Sequence, residues 1–513
     1  MTTTPEVFGT NPRTGEPLAP VTRETTEAEV AAVDAAAAEA APGFARLDRG
    51  ARAEILHGIA DGIDARRADL IEIAAAETGF GVTKLDGEIN RAAFQFRFFA
   101  DVIGEGSYLE AILDSAGDTP MGPRPDLRRM LHPIGPVAVF GSSNFPFAFS
   151  VLGGDTASAL AAGCPVIVKA HPSHPATSRL SFDLLAAALA NSPAPRDVLG
   201  IVFGTSAGAV LVAQPAVKAV GFTGSLRGGK ALLDIINTRD EPIPFYGELS
   251  SLNPVVVTQG AAAERAEEIG AGLVASFTVG SGQMCTKPGF VLVPDGADGD
   301  RLVAAVHAGL DTSSGHVLLN EGIYRTFSDE TAALRQRTDV TSHAAPAADG
   351  GGFTATAMVV ETALDGLDPE LVHEVFGPLT IIARYRADSV IASATTVFET
   401  FPPSLTATVH YADSDADADG TLQALTDLAA ARAGRVIYNG FPTGVTVSWA
   451  QHHGGPWPST NSLHTSVGAT AIRRFLRPIT YQNAPQRVLP PELRDGYDDI
   501  PRRLDGRLRA TGA

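Results

Sequence analysis

Short apolar runs recur along this chain, separated by sequence with helical periodicity, and the series runs twice. Val137-Ala-Val-Phe, Val166-Ile-Val-Lys, Val198-Leu-Gly-Ile-Val-Phe and Ala219-Val-Gly-Phe are spaced by stretches such as Leu180 to Asn191. Runs this short and this uniformly apolar suit strands covered on both faces, and the intervening helices supply the cover, which predicts a parallel, doubly wound sheet. Near Pro254-Val-Val-Val the pattern restarts, continuing through Gly289-Phe-Val-Leu-Val, Leu379-Thr-Ile-Ile-Ala, Leu405-Thr-Ala-Thr-Val-His and Gly434-Arg-Val-Ile-Tyr. A chain of 513 residues exceeds what one core normally serves. The fold class is therefore α/β, with two doubly wound domains. Helical periodicity dominates from Thr26 to Ala100, and the Pro-, Gly- and charge-rich stretch from Asp114 to Pro133 reads as an extension away from the main body. The Ala/Asp-rich patches Ala344 to Gly352 and Asp413 to Gly420 read as surface loops.

The formal charge of −19, from 39 basic and 58 acidic residues, argues against nucleic acid or an anionic membrane as a general partner. Two cysteines supply neither a disulfide framework nor a metal-ligand cluster, so no metal is assigned and a reducing compartment is expected. Met1-Thr-Thr-Thr-Pro-Glu lacks the basic and apolar segments of a secretory signal, and no segment offers about 18 uninterrupted apolar residues. The expectation is a cytoplasmic protein.

Of the two thiols, Cys164 sits beside a buried-strand pattern and reads as an inert core residue. Cys285 follows Gly280, Gly282 and Gln283, where missing side chains let another molecule approach. Ends of parallel strands are where ligands gather in open sheets. There the first series places Asn144, in Gly141-Ser-Ser-Asn-Phe-Pro-Phe, as either an amide donor to an oxyanion or a turn residue, and Lys169, as either a ribose or phosphate ligand or a solvated cation. Gly221-Phe-Thr-Gly-Ser-Leu-Arg-Gly-Gly-Lys leaves a strand, turns and opens a helix, so its backbone amides suit a pyrophosphate, although it is not the Gly-x-Gly-x-x-Gly fingerprint. Glu248, among small and apolar residues, suits proton abstraction, and Glu374 is similarly placed. His452-His453, with no carboxylate or cysteine nearby in sequence, reads as a loop.

Asn144-Phe-Pro, Lys169, Phe222-Thr-Gly-Ser, Glu248-Leu, Gly282-Gln-Met-Cys285 and Glu374-Val-Phe-Gly-Pro, in that order, resemble the aldehyde dehydrogenase superfamily along most of the chain. Glu248-Leu-Ser-Ser-Leu-Asn-Pro, His453-Gly-Gly-Pro-Trp-Pro and the segment from Ser466 to Pro478 resemble its α-ketoglutaric semialdehyde (2,5-dioxovalerate) branch, which also includes fatty-aldehyde enzymes. The resemblance implies that Cys285 attacks an aldehyde, Asn144 and the Cys285 amide hold the oxyanion, hydride passes to a nicotinamide, and Glu248 activates water against the thioester. It further implies cofactor contacts at Lys169, His171, Thr223, Gly224, Ser225, Gly228, Glu374 and Phe376, and a substrate pocket lined by Phe147, Phe149, Leu152, Met284, Thr286 and Trp449. Arg91 and Arg97 are candidates for a substrate carboxylate, against a surface or interdomain ion pair. The implied architecture is a cofactor domain (1–113 and 134–250), an oligomerisation extension (114–133), a catalytic domain (251–450), a return to the cofactor domain (451–477) and an oligomerisation tail (478–513). Extension and tail are expected to pair across subunits of a homodimer or homotetramer.

This chain departs from the family at Lys169-Ala-His-Pro172, where many members carry Lys-Pro-Ser-Glu. Without that acid, repulsion toward a 2′-phosphate is relieved, which predicts NADP with NAD tolerated, although Thr205-Ser-Ala207 supplies no arginine. Three alternatives remain open: a fatty or medium-chain aldehyde as substrate, transfer of the thioester to coenzyme A, and a non-catalytic binding protein.

Overall fold

In a computed structural model, which describes residues 4–347, 350–416 and 420–511, the two predicted series form two sheets. The first has five parallel strands in the order Phe245–Glu248, Ala219–Thr223, Val137–Phe140, Val166–Lys169, Leu199–Val202. Val137–Phe140 begins the series and lies at its centre, so the chain winds outward in both directions and helices cover both faces. The second has seven strands, in the order Thr341–Ala344, Met358–Ala363, Leu379–Tyr385, Phe290–Pro294, Pro254–Val257, Ser404–His410, Ala433–Tyr438. It is parallel except at its edge strand Thr341–Ala344. Pro254–Val257 and Ser404–His410 are buried at every position, as strands sandwiched between helices must be.

Four helices, Glu27–Ala45, Arg49–Ala65, Arg67–Thr78 and Val82–Glu105, fill the region read as helical. The first is started by a capping box between Thr26 and Glu29. Before them stands an antiparallel hairpin of Glu6–Thr10 and Pro17–Arg23, which packs on the first domain and is absent from the sequence reading.

A third, mixed sheet joins the extension to the tail: Leu476–Gln482, Leu127–Pro133, Ile112–Asp114, Arg502–Leu504, Arg507–Arg509. The two segments expected to pair across subunits therefore pair with each other inside one chain, because Leu127–Pro133 and Leu476–Gln482 satisfy each other's ladder over seven residues. Asp413–Ala416 is a short helix and Thr341–Ala344 a strand, which corrects the loop reading at those ends of the two Ala/Asp-rich patches. Residues 348–349 and 417–419 of the patches, and 1–3 of the N-terminus, lie outside the described residues. Among the described residues no helix is long and apolar enough to cross a membrane.

Candidate active site

Cys285 lies just ahead of the strand Phe290–Pro294, past a turn in which Gly280, Ser281 and Gly282 take left-handed backbone with φ of 61°, 60° and 68°. A side chain at Gly282 is excluded: its Cβ would stand 2.3 Å from the Gly377 carbonyl carbon. The turn is thus pressed against the Glu374-Val-Phe-Gly-Pro segment. The far side is pinned by buried Asn253, whose Nδ2 donates to the carbonyls of Cys285 (2.8 Å) and Lys287 (2.9 Å).

Two side chains from distant parts of the chain converge on the sulfur, and a third supports them. Glu248, at the end of Phe245–Glu248, and His453 are both almost fully buried, and His453 Nε2 lies 2.9 Å from Glu248 Oε1 and 3.6 Å from Cys285 Sγ. A carboxylate oxygen only accepts, so Nε2 carries a proton with two acceptors in reach. Ser466 Oγ donates to the other Glu248 oxygen at 2.9 Å. Burial alone would raise the Glu248 carboxyl; the charge and hydrogen bond of His453, with bonds from Cys285 and Ser466, hold it at about 2. Burial and the Glu248 charge together push the Cys285 thiol well above its usual range, so the resting residue is a thiol. The sulfur, an imidazole nitrogen and a carboxylate oxygen lie within 4.8 Å of one another, a donor set also capable of holding a metal ion.

Asn144 is buried, and its Nδ2 donates to the Gln283 carbonyl at 2.7 Å, leaving its second N–H for another acceptor. The loop that carries it is held by one face of Val82–Glu105, on which polar residues recur at helical spacing. Lys84 Nζ donates to the Asn144 carbonyl (3.1 Å), Glu88 Oε1 accepts from the amides of Phe147 (2.8 Å) and Ala148 (3.1 Å), and Gln95 Nε2 donates to the Ala148 carbonyl (3.1 Å). Arg91, on the same face, stands over the Phe149 ring with its guanidinium carbon 5.2 Å from the centroid. One of its nitrogens donates to the Val445 carbonyl, whereas Nε and Nη2 are buried without a partner. Burial lowers the Arg91 pKa against the charges of Glu88, Cys285 and Glu248, which places the guanidinium in the field of the thiol.

Several expected pocket residues lie elsewhere. Phe147 and Leu152 are fully buried in the main core, whereas Phe145 and Phe149 are half-buried, with Phe149 set between Phe145, His453 and Arg91. Thr286 is likewise buried, while Met284 is half-buried against the Gly280 turn. Arg97 is a surface residue paired with Asp61 (2.8 Å) and Asp64 (2.9 Å), so its charge is already answered. Trp449 is half-exposed and sits edge-on to Phe98, which puts it at the rim of the Arg91 helix face.

At the carboxyl ends of the first sheet the residues suit a dinucleotide. Lys169 is largely buried yet has neither hydrogen bond nor ion pair among the described residues, and burial pushes its ammonium down to about 8 against the nearby Glu24 charge. Ser225 caps Leu226–Asn237, its Oγ accepting from the Gly228 amide at 3.1 Å, and the Gly224 amide donates to the Glu248 carbonyl at 3.0 Å. The amides of Gly224 and Gly228, expected at the pyrophosphate, are therefore occupied. Those of Leu226 and Arg227, in the open first turn, are the donors that remain. Thr223 is half-buried at the strand end.

His171 stacks on His174 with centroids 5.3 Å apart, and its Nδ1 accepts from the Ser173 amide. Burial, with His174 and Lys169 beside it, keeps it neutral, so it adds no charge. Glu374 turns its carboxyl toward Ser250 and the Ser251 amide rather than outward, and Phe376 beside it is half-buried. Burial raises the Glu374 carboxyl despite Lys287, whose buried ammonium donates to the carbonyls of Val375 and Leu379, both at 2.7 Å.

Sequence reasoning missed His453, Ser466 and Arg435. The His453 partner lies 205 residues away, so no local signal marked it, although its place directly before Gly454-Gly455 did mark a close backbone approach. Arg435, on Ala433–Tyr438, is buried enough to have its pKa lowered and lies in the field of Cys285, with two nitrogens on the carbonyls of Gly444 (3.0 Å) and Pro442 (2.6 Å).

Known proteins are similar to this chain along nearly its whole length. Alpha-ketoglutaric semialdehyde dehydrogenase 2 of Azospirillum brasilense is 44% identical over 506 residues, covering 97% of this chain and 95% of its own. The alpha-ketoglutaric semialdehyde dehydrogenase of Acinetobacter baylyi is 41% identical over 87% of this chain and 84% of its own. Among solved structures, the 1-pyrroline-5-carboxylate dehydrogenase of Thermus thermophilus (R100A mutant) superposes with a TM-score of 0.79 at 19% identity, covering 94% of this chain and 90% of that one, which speaks for the fold alone. The sequence profile of the Aldehyde dehydrogenase family matches residues 2–455, so this chain belongs to that family and is an oxidoreductase that converts an aldehyde to an acid with NAD(P).

Proposed function

We propose that this chain oxidises α-ketoglutaric semialdehyde (2,5-dioxovalerate) to 2-oxoglutarate, with NADP as acceptor and NAD tolerated. The observation that carries the chemistry is the buried Cys285–His453–Glu248 cluster, and two relatives more than 40% identical bear that substrate in their names. Support for an acidic substrate comes from Arg91, a buried guanidinium with two unpartnered nitrogens beside the thiol loop. A distal carboxylate would supply what it lacks.

The reaction starts from a thiol, because burial and the Glu248 charge oppose the thiolate. Glu248 takes the proton. As its charge is neutralised, the Nε2–H of His453 is released toward the sulfur, so negative charge moves onto an atom that already faces a donor. Sulfur attack on the aldehyde carbon creates an oxyanion, held by the second Asn144 N–H and the Cys285 amide. A nicotinamide held beside the thiol would supply the acceptor for the hydride of this carbon. Once Glu248 has released the thiol proton to solvent, its carboxylate takes a proton from the water that attacks the thioester carbon; the carbon–sulfur bond breaks, the acid leaves, and the Cys285 thiolate recovers that proton from Glu248. His453 tunes that base: while it donates to the carboxylate it keeps Glu248 ionised and weakly basic, and each shift toward the sulfur strengthens Glu248.

Lys169 would meet the adenosine end of the cofactor, with Thr223, Ser225 and the open first turn of Leu226–Asn237 at its pyrophosphate. The domain division we assign is 1–113 with 134–250 for cofactor, 251–450 for the thiol, 451–477 returning to the site, and 114–133 with 478–513 for assembly, a grouping supported by the pairing of Leu127–Pro133 with Leu476–Gln482. A cytoplasmic homodimer or homotetramer is the assembly we assign. Assay of kcat/KM with NADP and NAD across α-ketoglutaric semialdehyde, succinic semialdehyde, glutaraldehyde and a long-chain aldehyde tests the reading. The first substrate should lead by about tenfold or more, and a long-chain aldehyde in that place would overturn the substrate assignment.

A further inference from the structure

The missing acid of Lys169-Ala-His-Pro172 is replaced from another part of the chain. The N-terminal hairpin ends at Arg23 and delivers Glu24 to the carboxyl end of the edge strand Leu199–Val202. Glu24 is fixed there by its neighbours: its own amide donates to the Pro5 carbonyl, the Thr25 amide to the Phe203 carbonyl, and the Phe203 amide to Thr25 Oγ1, each at 2.9 Å. Its carboxyl lies against Gly204, where an added Cβ would stand 2.9 Å from Cδ and 3.0 Å from Oε1. Lys169 lies along the next turn of the same helix, over Gly208, with Cγ and Cε 3.3 and 3.5 Å from the corresponding point. Positions four apart on a helix are neighbours on one face, about 6 Å apart.

Carboxylate and ammonium thus lie over two bare positions, Gly204 and Gly208, one turn apart at the start of this helix, yet no salt bridge joins them among the described residues. Beside them opens a cavity of about 170 Å³ lined by Glu24, Ala170, His171, Pro172, Gly204 and Thr205. Neutral His171 brings no charge to it. The other acid at its edge is Glu6, which is exposed.

We propose that Glu24 sets the choice between the two dinucleotides: its carboxylate accepts the adenosine ribose hydroxyls of NAD and opposes the 2′-phosphate of NADP, which Lys169 attracts. This inference rests on the cofactor reading above and explains how NAD is tolerated where the motif acid is absent. Glu24→Gln keeps size and hydrogen bonding but removes the charge.

The test is calorimetric binding of 5′-AMP and 2′,5′-ADP, which differ by the 2′-phosphate, to the wild-type protein, Glu24→Gln and the control Glu6→Gln. Glu24→Gln should tighten 2′,5′-ADP by about tenfold and weaken 5′-AMP several-fold. The kcat/KM ratio for NADP over NAD should rise in step, and Glu6→Gln should move neither. Should Glu24→Gln fail to fold, Glu24→Asp, which retracts the charge, should weaken 5′-AMP and leave 2′,5′-ADP within about twofold. Equal effects on both fragments, or none, would overturn the role of Glu24. Failure of wild-type protein to bind either fragment would instead overturn the cofactor reading itself.

Discussion

The two large sheets share an architecture and use opposite ends of it. In the first, functional groups follow the strands: Asn144 after Val137–Phe140, Lys169 closing Val166–Lys169, Ser225 after Ala219–Thr223 and Glu248 closing Phe245–Glu248. In the second they precede them: Asn253 before Pro254–Val257, Cys285 before Phe290–Pro294 and Glu374 before Leu379–Tyr385. The carboxyl end of the second sheet is closed. Asp415 Oδ2 accepts from Thr258 Oγ1 (2.6 Å) and the Ala412 amide (2.8 Å), and it crowds Gly260, where a Cβ would stand 2.5 Å away. One sheet therefore binds by the rule for open α/β folds, and the other plugs that crevice and offers its amino ends across the interface. Identical folds within one chain do not imply identical sites.

The comparison can be broken at the amino ends first. Cys285→Ala should abolish NAD(P)H formation, a loss of about 10⁴-fold or more, and residual turnover above background would remove the thiol from the mechanism. His453→Phe should slow both turnover and iodoacetamide alkylation of Cys285 by about 10²-fold, and Glu248→Gln, which removes the base for both the thiol and the water, should slow the burst of reduced cofactor as well as later turnovers by a similar factor. An unaltered alkylation rate would mean that His453 is only packing. Arg91→Leu should reduce kcat/KM for the semialdehyde acid by about 10²-fold and for a neutral aldehyde by less than about threefold, and equal losses would make Arg91 structural. At the carboxyl ends of the first sheet, the NADP-to-NAD preference should decline as pH rises through about 8, because the Lys169 ammonium is present below that value and lost above it. A flat ratio from pH 7 to 9.5 would place the phosphate elsewhere. The smallest effect belongs to the plug: Asp415→Ala should lower stability by about 1–2 kcal/mol in urea unfolding and leave kcat within about twofold. A collapse of kcat would show the closed end to be a second working site.

What the residue pattern revealed follows the same division. Strands buried on both faces announce themselves as apolar runs, so eight of them appear within a residue or two of their sequence positions, from Val137–Phe140 to Ser404–His410. The N-terminal hairpin did not, because Pro17-Leu-Ala-Pro-Val-Thr-Arg carries two prolines and is exposed or half-buried throughout, which gives neither alternation nor an apolar run. Lys169 stood out because it closes an apolar run, and Glu248 because it is an acid among small and apolar residues. Phe147 and Phe149 were not separable, since which ring faces inward depends on Glu88 clamping the loop amides from another helix. Glu24 and His453 were invisible for one reason: each acts on residues brought near only by tertiary folding.

The contact between Gly282 and Gly377 bears on how such a chain can change over time. An added Cβ at Gly282 would meet the Gly377 carbonyl, a backbone group that any residue at 377 would keep, whereas one at Gly377 would stand 2.3 Å from the Phe327 ring, so each glycine is required for its own reason. No change of side chain at 377 can therefore make room at 282, whereas position 377 is coupled to the size of residue 327. A designer grafting a new substrate loop onto this scaffold has to keep Gly282 unconditionally and to move Gly377 together with Phe327, and is free to vary the pocket walls around them.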